Sequence, residues 1–496
     1  MSHKPNPFDF VPFVESGPNL YPLKEFVESD KLLTGYLTVC MKALTPVHIV
    51  GKQEAEELVP EIKQDKKNYK ILRSKFLRRG GDPLIPSSTI RGCLRSFIEA
   101  VTNGWVSEFT PYYKSDKGKR KHGFKVDKNV HIENEIGSIN QQIPAALDSK
   151  YIIPPEGSDR IDIASFLFGF TPEEGMGRKG CIVIEDAMID DGCLDGFGEY
   201  KVPDITDSAF MGGPKPSASS WWYQYPYKIS MRESRKKDGM PIVIVDFIGS
   251  GFRGRKFYYH QDQSACVGLY SSQNSQWPQR SGHPLYTYPL ECLTPGEKTQ
   301  DFRIYFEEIP ESLLKILILS LMPSGSWTEK RTQTLRHKIG YGKAYGFGSV
   351  DFMITGGRIK GESRVVNGES IVGKLLDEVN SSLWDFEKLF AIGIGQYLHK
   401  ESVERIAKIL WFDSSEQILF QYPPFGNNGF LPVISKSDLE SVLAQGQRQN
   451  LDRFKRFTVT NAAGKQIAKS LYENGRRKAL HFEVYQENAD KYKGHL

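Results

Sequence analysis

The chain has 496 residues, with 65 lysines and arginines, 60 aspartates and glutamates, and a formal net charge of +5. With 39% hydrophobic and 25% charged residues, this is a globular composition, which excludes a disordered or fibrous chain, and the length predicts about two to four folding units. The longest apolar stretch, Leu313–Met322, is much shorter than the roughly 20 residues that cross a bilayer, which excludes a membrane-spanning protein.

The first part of the chain predicts a leader followed by a strand. Residues 1–32 are rich in proline and are expected to be irregular, and the first nine residues contain no apolar signal core. We therefore expect a cytoplasmic protein. Residues 33–44 have the β-branched, alternating character of a strand that ends before His48. A charged stretch at about 52–80 is predicted to be a loop.

A helix is predicted after Pro86, because Ser87, Ser88 and Thr89 offer hydroxyl groups that can cap its first turn. Apolar residues then recur at helical spacing, which predicts one buried face: Ile90, Cys93, Leu94, Phe97, Ile98 and Val101. Arg91 and Arg95 share the other face. A helix start with free N–H groups, hydroxyls and two arginines suits a bound phosphate, and a capped helix with a solvated arginine pair fits the spacing equally well.

The later elements alternate between strands, helices and turn-rich segments. Strands are predicted at 181–187 and 301–307, a helix at Glu311–Met322, and a further strand that ends near residue 355. Residues 190–290 are rich in turn-forming residues, and the pattern beyond 361 is helical. The six cysteines form no C-x-x-C pair, which predicts reduced thiols rather than disulfides or a structural zinc site.

Positive charge is concentrated in three stretches, although the net charge is small. Residues 63–79 hold eight basic residues and one acid, residues 114–128 hold seven and two, and residues 448–478 hold nine and two. Aromatic residues are interleaved with them. Basic side chains neutralise phosphates and aromatic rings stack on unpaired bases, so the three stretches together favour an RNA or DNA partner. Each stretch alone fits a solvated surface equally well.

Two glycine-containing motifs add candidate contacts. Residues 340–348 hold four glycines with Tyr341, Lys343 and Phe347, and they match neither the P-loop nor the dinucleotide-binding pattern. Glycines let the backbone approach a ligand, although a glycine-rich turn before an edge strand fits the pattern as well. Residues 251–260 combine basic and aromatic side chains, which suits RNA stacking and phosphate contact, or an exposed strand with an aromatic core face.

Two single residues are candidates for chemistry. His48 follows the first strand without an identifiable triad partner, so a structural role is the simpler interpretation. Asp65 is the only acid among the basic residues of 63–79. An acid near a phosphodiester can position a metal or orient a 2′-hydroxyl, whereas a solvated charge among lysines is the simpler alternative.

Three segments, taken in order, resemble the RAMP superfamily (repeat-associated mysterious proteins), the backbone subunits of type III CRISPR effector complexes. Residues 84–95, Leu-Ile-Pro-Ser-Ser-Thr-Ile-Arg-Gly-Cys-Leu-Arg, are similar to the family's helix start. Phe166–Gly169, followed by Gly177-Arg178 and a strand, is the second segment, and the glycine-rich loop is the third. The resemblance covers about residues 34–190 and 286–360. Residues 253–260 resemble the insertion-containing, III-D-like branch.

The resemblance implies an α+β fold: a ferredoxin-like, RRM-type core with a thumb, a large insertion and a mostly helical C-terminal extension. The expected division is an N-terminal leader at 1–32, a core at 33–361 with the insertion at about 190–285, and the extension at 362–496. The implied partners are CRISPR RNA, target RNA and the other backbone and large subunits of a type III complex, without a membrane.

The resemblance also implies roles for individual residues. Ser88, Thr89, Arg91 and Arg95 would grip guide phosphates beside the glycine-rich loop, and Ser87 stands where the family usually has glycine. Some relatives cut target RNA through a loop aspartate and a divalent metal, so the alternative function is a metal-dependent (Mg or Mn) endoribonuclease that uses Asp65. A further hypothesis is a guide-processing endonuclease that uses His48. The expected RNA-contact residues are His48, Ser87, Ser88, Thr89, Arg91, Arg95, Arg178, Lys179, Arg253, Arg255, Lys256, Tyr258, His260, Gly340, Tyr341, Gly342, Lys343, Gly346, Phe347 and Gly348.

Overall fold

The fold is known from a computed structural model. It describes residues 7–14, 16–55, 72–105, 112–114, 120–122, 159–170, 177–195, 201–203, 224–237, 240–252, 254–263, 287–324, 333–361, 370–383 and 385–413, together with four short strands between residues 459 and 477. None of the helices in these segments is long and apolar enough to cross a membrane. The five cysteines within them are free thiols.

A five-stranded antiparallel sheet forms the centre of the molecule. Its strands are β1 (Leu32–Ala43), β2 (Ile182–Ile184), β3 (Phe302–Pro310), β4 (His337–Lys338) and β5 (Ser349–Ile359). They lie in the order β2-β3-β1-β5-β4. The strand predicted at 33–44 is therefore the central strand, and the strands predicted at 181–187 and 301–307 lie on one side of it.

The described helices are α1 (Leu23–Val27), α2 (Ser87–Val101), α3 (Ile163–Phe168), α4 (Glu311–Leu321), α5 (Ile371–Ser382), α6 (Phe386–Ala391) and α7 (Lys400–Ile409). Helices α2 and α4 pack on each other and on the sheet. The predicted apolar face of α2 is confirmed, since Ile90, Leu94 and Phe97 are buried in the hydrophobic core. The combination of helices with an antiparallel sheet is typical of an α+β fold.

The other described strands form pairs, and in one case a group of three, outside the five-stranded sheet. They are Phe8–Val11 with Arg255–Tyr258, Tyr21–Pro22 with Arg160–Ile161, Val50–Ala55 with Leu72–Phe76, Arg78–Arg79 and Ala187–Met188 with Asp82–Ile85, Tyr112–Lys114 with Arg120–His122, Gly169–Phe170 with Arg178–Lys179, Lys201–Pro203 with Thr287–Pro289, Gln224–Lys237 with Met240–Phe252, Gln333–Leu335 with Trp411–Asp413, Val459–Thr460 with Gln466–Ala468, and Tyr472–Glu473 with Arg476–Arg477. Of the extension at 362–496, the described part therefore contains three helices and several short strands.

The leader is more ordered than its proline content predicts. Phe8–Val11 is a fully buried strand, and the carboxylate of Asp9 accepts hydrogen bonds from Arg405 of α7 at 2.7 Å and from the hydroxyl of Tyr259 at 3.3 Å. Asp9 has no exposed surface. Long-range strand pairing and a buried ion pair thus hold a segment whose local sequence indicates a loop.

A second ion pair joins the charged stretch at 72–79 to the strand region near residue 290. The carboxylate of Glu291 accepts two hydrogen bonds from Arg78, at 2.6 and 2.8 Å, and one from the backbone N–H of Phe76 at 2.7 Å. A bidentate arginine–carboxylate pair is among the strongest side-chain contacts, and it is costly to break when one partner is buried. Glu291 is buried, so its removal takes the acceptor from the N–H of Phe76 and leaves Arg78 with the exposed Asp191, at 3.1 Å, as its ion-pair partner.

We expect Glu291→Gln to lower the free energy of unfolding by about 2 kcal/mol, because the buried site loses the charge that pairs with Arg78, while the exposed carboxylate of Asp191 remains 3.1 Å from the guanidinium. Denaturant titration of both proteins measures the change. The control is Lys388→Ala, which breaks an exposed ion pair with Asp385 and should cost less than about 1 kcal/mol. Equal losses in the two variants would contradict the role given to Glu291.

Candidate nucleic-acid interface

The start of α2 is occupied by an anion from the chain itself. The backbone N–H of Ser87 donates to a carboxylate oxygen of Asp186 at 2.7 Å, and Arg79 forms an ion pair with the same carboxylate. The hydrogen bond from Ser87, with the nearby charge of Arg79, lowers the pKa of Asp186. Ser88 is exposed and Thr89 is partly exposed. Of the predicted phosphate contacts at this helix start, Ser88 is therefore the most accessible.

Arg91 and Arg95 reach from α2 to the C-terminal end of α3. A terminal nitrogen of Arg91 donates to the carbonyl oxygen of Phe168, and Arg95 donates to the carbonyl oxygen of Gly169 at 2.6 Å. Arg95 also pairs with Glu99 at 2.8 Å. Cations are favourable where the last carbonyls of a helix lack intrahelical donors. Both arginines are partly buried and have internal partners, which the helical spacing alone does not reveal.

The glycine-rich loop has a backbone that requires its glycines. Gly340, Gly342, Gly346 and Gly348 all have positive φ, between 72° and 88°. Side chains of L residues are strained in that region. A Cβ atom at Gly346 would also lie 2.6 Å from the Cα of Gln263, and one at Gly340 or Gly348 would meet a backbone carbonyl. The loop is therefore closely packed against its surroundings.

Lys338 holds this loop from inside. Its ammonium group donates to the carbonyl oxygens of Lys343 at 3.0 Å and Phe347 at 2.9 Å, and Lys338 itself is buried. The ring of Phe347 is fully buried too, so it offers no free face to a base, whereas Tyr341 and Lys343 are partly exposed. Sequence reasoning did not include Lys338, although a lysine two residues before the first glycine was a signal for it.

A basic–aromatic cluster joins the glycine-rich loop to two other segments. It consists of Phe8, Lys256, Tyr258 and Lys343. The ammonium group of Lys343 lies 5.5 Å from the centroid of the Tyr258 ring, and that of Lys256 lies 4.8 Å from the same ring and 3.8 Å from the Phe8 ring. Lys256, Tyr258 and Lys343 are partly exposed. The motifs at 251–260 and 340–348, which the sequence analysis treated separately, thus meet in this cluster. The leader contributes Phe8, which was not among the residues predicted from the sequence.

Helix α2 lies close to this cluster. Burial raises the pKa of the Cys93 thiol to about 12, and the positive charge of Lys343 acts in the opposite direction. The ring of Phe97 contacts that of His337 in β4, with centroids 5.2 Å apart. The helix, the strand that leads into the glycine-rich loop and the loop itself therefore form one packed unit.

Four other predicted contacts differ in accessibility. Arg255 is buried and donates to the carbonyl oxygen of Gly104, with its guanidinium over the Phe13 ring. His260 is buried, which lowers its pKa well below the ordinary value; its Nε2 donates to the Arg336 carbonyl oxygen and its Nδ1 accepts from Ser349. Arg178 lies over the ring of Phe166, and Lys179 is exposed.

Arg253 and Asp65 lie outside the described residues. Within the described segments, no group of three or more His, Cys, Asp or Glu residues is arranged to hold a metal ion.

His48 is part of the support of the loop. It is fully buried, and its Nδ1 lies 2.7 Å from the carbonyl oxygen of Glu291 and its Nε2 lies 2.9 Å from the hydroxyl of Ser74. Because a carbonyl only accepts, Nδ1 donates and Nε2 of the neutral ring accepts from Ser74. The carbonyl oxygen of His48 accepts from the N–H of Tyr341 at 2.9 Å. The ring has no surface that RNA could reach in this conformation.

The burial of His48 makes the stability of the protein depend on pH. Burial lowers its pKa to about 4, so between pH 6.5 and 4 the unfolded chain takes up a proton that the folded chain does not. The neutral ring therefore stabilises the fold above pH 6.5, and this stabilisation is lost as the pH falls. We expect the free energy of unfolding to drop by about 2 kcal/mol more between pH 7 and 5 in the parent than in His48→Gln.

Denaturant titrations of both proteins across this pH range measure the difference. Between pH 8 and 7 the two curves should run parallel, which is the control, since His48 is neutral there in both states. Parallel curves down to pH 5 would show that the ring is not held neutral by burial.

Comparison of the sequence with known protein families identifies the family of the chain. The model of the RAMP superfamily matches residues 40–351, which is more than half of the chain and includes α2, the glycine-rich loop and the segment at 254–263. None of the curated proteins matches the chain at a significant level. RAMP proteins are generally linked to CRISPR-associated RNA-binding complexes. From the extent of the family match, the chain belongs to the RAMP superfamily.

Proposed function

We propose that the chain is an RNA-binding backbone subunit of a type III CRISPR effector complex, where it holds the CRISPR RNA and its duplex with target RNA. The observation that carries this proposal is the basic–aromatic cluster, in which Lys256 and Lys343 approach the ring of Tyr258 from two separate segments. Family membership supports the RNA partner.

The chemistry of the cluster suits a nucleic-acid backbone. Each lysine that contacts a phosphate releases condensed counterions, and a partly exposed tyrosine ring can stack on a base. The supports of the cluster are rigid, because Lys338 and the carbonyl oxygen of His48 fix the loop that carries Lys343. A preorganised site of this kind loses little conformational entropy when RNA binds.

We further propose that residues 33–361 form a ferredoxin-like, RRM-type core. The elements β1, α2, β2, β3, α4 and β5 follow each other in a β-α-β-β-α-β order, and the strand order β2-β3-β1-β5 supports this assignment. In this proposal the insertion at about 190–285 and the extension at 362–496 are additions to the core that make contacts with neighbouring subunits.

The test of the RNA partner is Lys256→Gln combined with Lys343→Gln. We expect the double variant to bind RNA more weakly and to reduce the slope of log K against log salt by about two, since two phosphate contacts are removed. Fluorescence anisotropy with labelled RNA at several salt concentrations measures affinity and slope together.

The control is Lys24→Gln combined with Lys374→Gln, which removes the same charge from exposed positions on α1 and α5. A purely general effect of net charge would weaken both double variants equally, and that result would remove the cluster from the proposed interface.

Arg91 and Arg95 remain proposed guide contacts. A guanidinium has five N–H donors, so an arginine that binds a carbonyl can still donate to a phosphate. We expect Arg91→Gln combined with Arg95→Gln to flatten the salt dependence of RNA binding in addition to lowering the thermal midpoint. A lower midpoint with an unchanged salt slope would assign both arginines to the support of α3 alone.

A further inference from the structure

The sheet has a second face, opposite to the one that buries Leu37 and Val39. Side chains of successive strand residues alternate between faces, and the strand registers place four outward residues side by side across four strands. We call this set the outer row: Val183 of β2, Tyr305 of β3, Tyr36 of β1 and Arg358 of β5. Val183 is 55% exposed, Arg358 is exposed and both tyrosines are partly exposed.

The two tyrosines of the outer row form an aromatic pair on the two inner strands. Their ring centroids are 6.0 Å apart and their planes are tilted by 57°. The guanidinium of Arg303, a residue of β3 that is exposed, lies 4.9 Å from the centroid of the Tyr36 ring. Arginine planes and aromatic rings are the two side-chain surfaces on which unpaired bases stack.

One side of the aromatic pair is fixed by an acid. The hydroxyl of Tyr305 donates to Glu185 at 2.8 Å, and the other oxygen of that carboxylate accepts from the backbone N–H of Arg303 at 2.8 Å. This pairing orients the Tyr305 ring. On the other side, Gly356 is the residue of β5 opposite Thr38, and a Cβ atom there would have no atom closer than 4.0 Å. The face beside Tyr36 is therefore open.

Charge and chemistry together indicate which ligand fits this face. Arg303 and Arg358 flank the rings, so phosphates of a strand whose bases stack on the tyrosines would meet a cation on two sides. A duplex keeps its bases stacked on each other, so only unpaired nucleotides can use the rings. We propose that the outer row, with Arg303, is a second RNA-contact surface that binds unpaired nucleotides. It rests on the proposed function in that the ligand is RNA.

The experiment compares two double variants of the full chain. Tyr36→Leu with Tyr305→Leu removes both rings, whereas Tyr36→Phe with Tyr305→Phe keeps the rings and removes the hydrogen bond to Glu185. The probes are a fluorescently labelled oligouridine and an RNA duplex of equal length. We expect the leucine variant to lose about 5- to 100-fold in affinity for oligouridine, with an unchanged salt slope because no charge is removed.

The proposal also predicts the results for the phenylalanine variant and for the RNA duplex. The phenylalanine variant should bind oligouridine like the parent, and the duplex should bind all three proteins alike. Equal losses in the leucine and phenylalanine variants would attribute the effect to the bond with Glu185 and overturn the stacking role. Unchanged affinity in the leucine variant, while Lys256→Gln with Lys343→Gln still weakens binding, would overturn the outer row alone and leave the proposed function standing.

A measurement on the parent protein keeps the test independent of how the variants fold. Ultraviolet irradiation of the parent with oligouridine should form crosslinks to peptides that contain Tyr36 or Tyr305, as mapped by mass spectrometry. Crosslinks confined to other peptides would assign this face to a protein neighbour instead and overturn the proposal. No binding of either RNA by the parent would overturn both this proposal and the proposed function.

Discussion

The backbone hydrogen bonds of β1 determine the arrangement of the rest of the structure. This strand pairs on one side with β3 and on the other with β5, both of which come much later in the chain. Because a one-residue shift in register exchanges the two faces of a strand, the same pairing that buries Leu37 in the hydrophobic core also sets Tyr36 beside Tyr305. His48 lies five residues after the end of β1, where its carbonyl oxygen binds the glycine-rich loop. Core, outer row and loop are thus consequences of one register.

The loop illustrates how buried polar groups can shape an exposed surface. Its glycines accept a backbone that other residues avoid, and Lys338 satisfies two carbonyl groups from inside. A buried lysine is tolerated only when its charge is well solvated by acceptors, so the loop and the lysine depend on each other. The consequence is a surface that presents few side chains, of which Lys343 and Tyr341 are partly exposed, from a rigid support.

Local patterns predicted a large part of the fold. The strand at 33–44, the apolar face of α2 and the helix at 311–321 follow from periodicities of two and 3.6 residues, which depend only on neighbouring residues. The partners of Arg91 and Arg95, the burial of Phe347 and the strand at 8–11 do not follow, because each depends on a contact with a residue far away in the chain. For the same reason, the chemistry of the glycine-rich motif was recognisable in the sequence, but its closeness to Tyr258 was not.

The ion pair between Asp9 and Arg405 has a consequence for the order of events during synthesis. Phe8–Val11 leaves the ribosome before every other described element, but its strand partner and its buried counter-charge are made much later. Until Arg405 has emerged, burial of the Asp9 carboxylate lacks this ion pair and is less favourable. Phe8 and Lys256 belong to the two paired strands, so the basic–aromatic cluster is completed only after translation has passed α7. The chain is therefore synthesised up to Arg405 of its 496 residues before this surface can form.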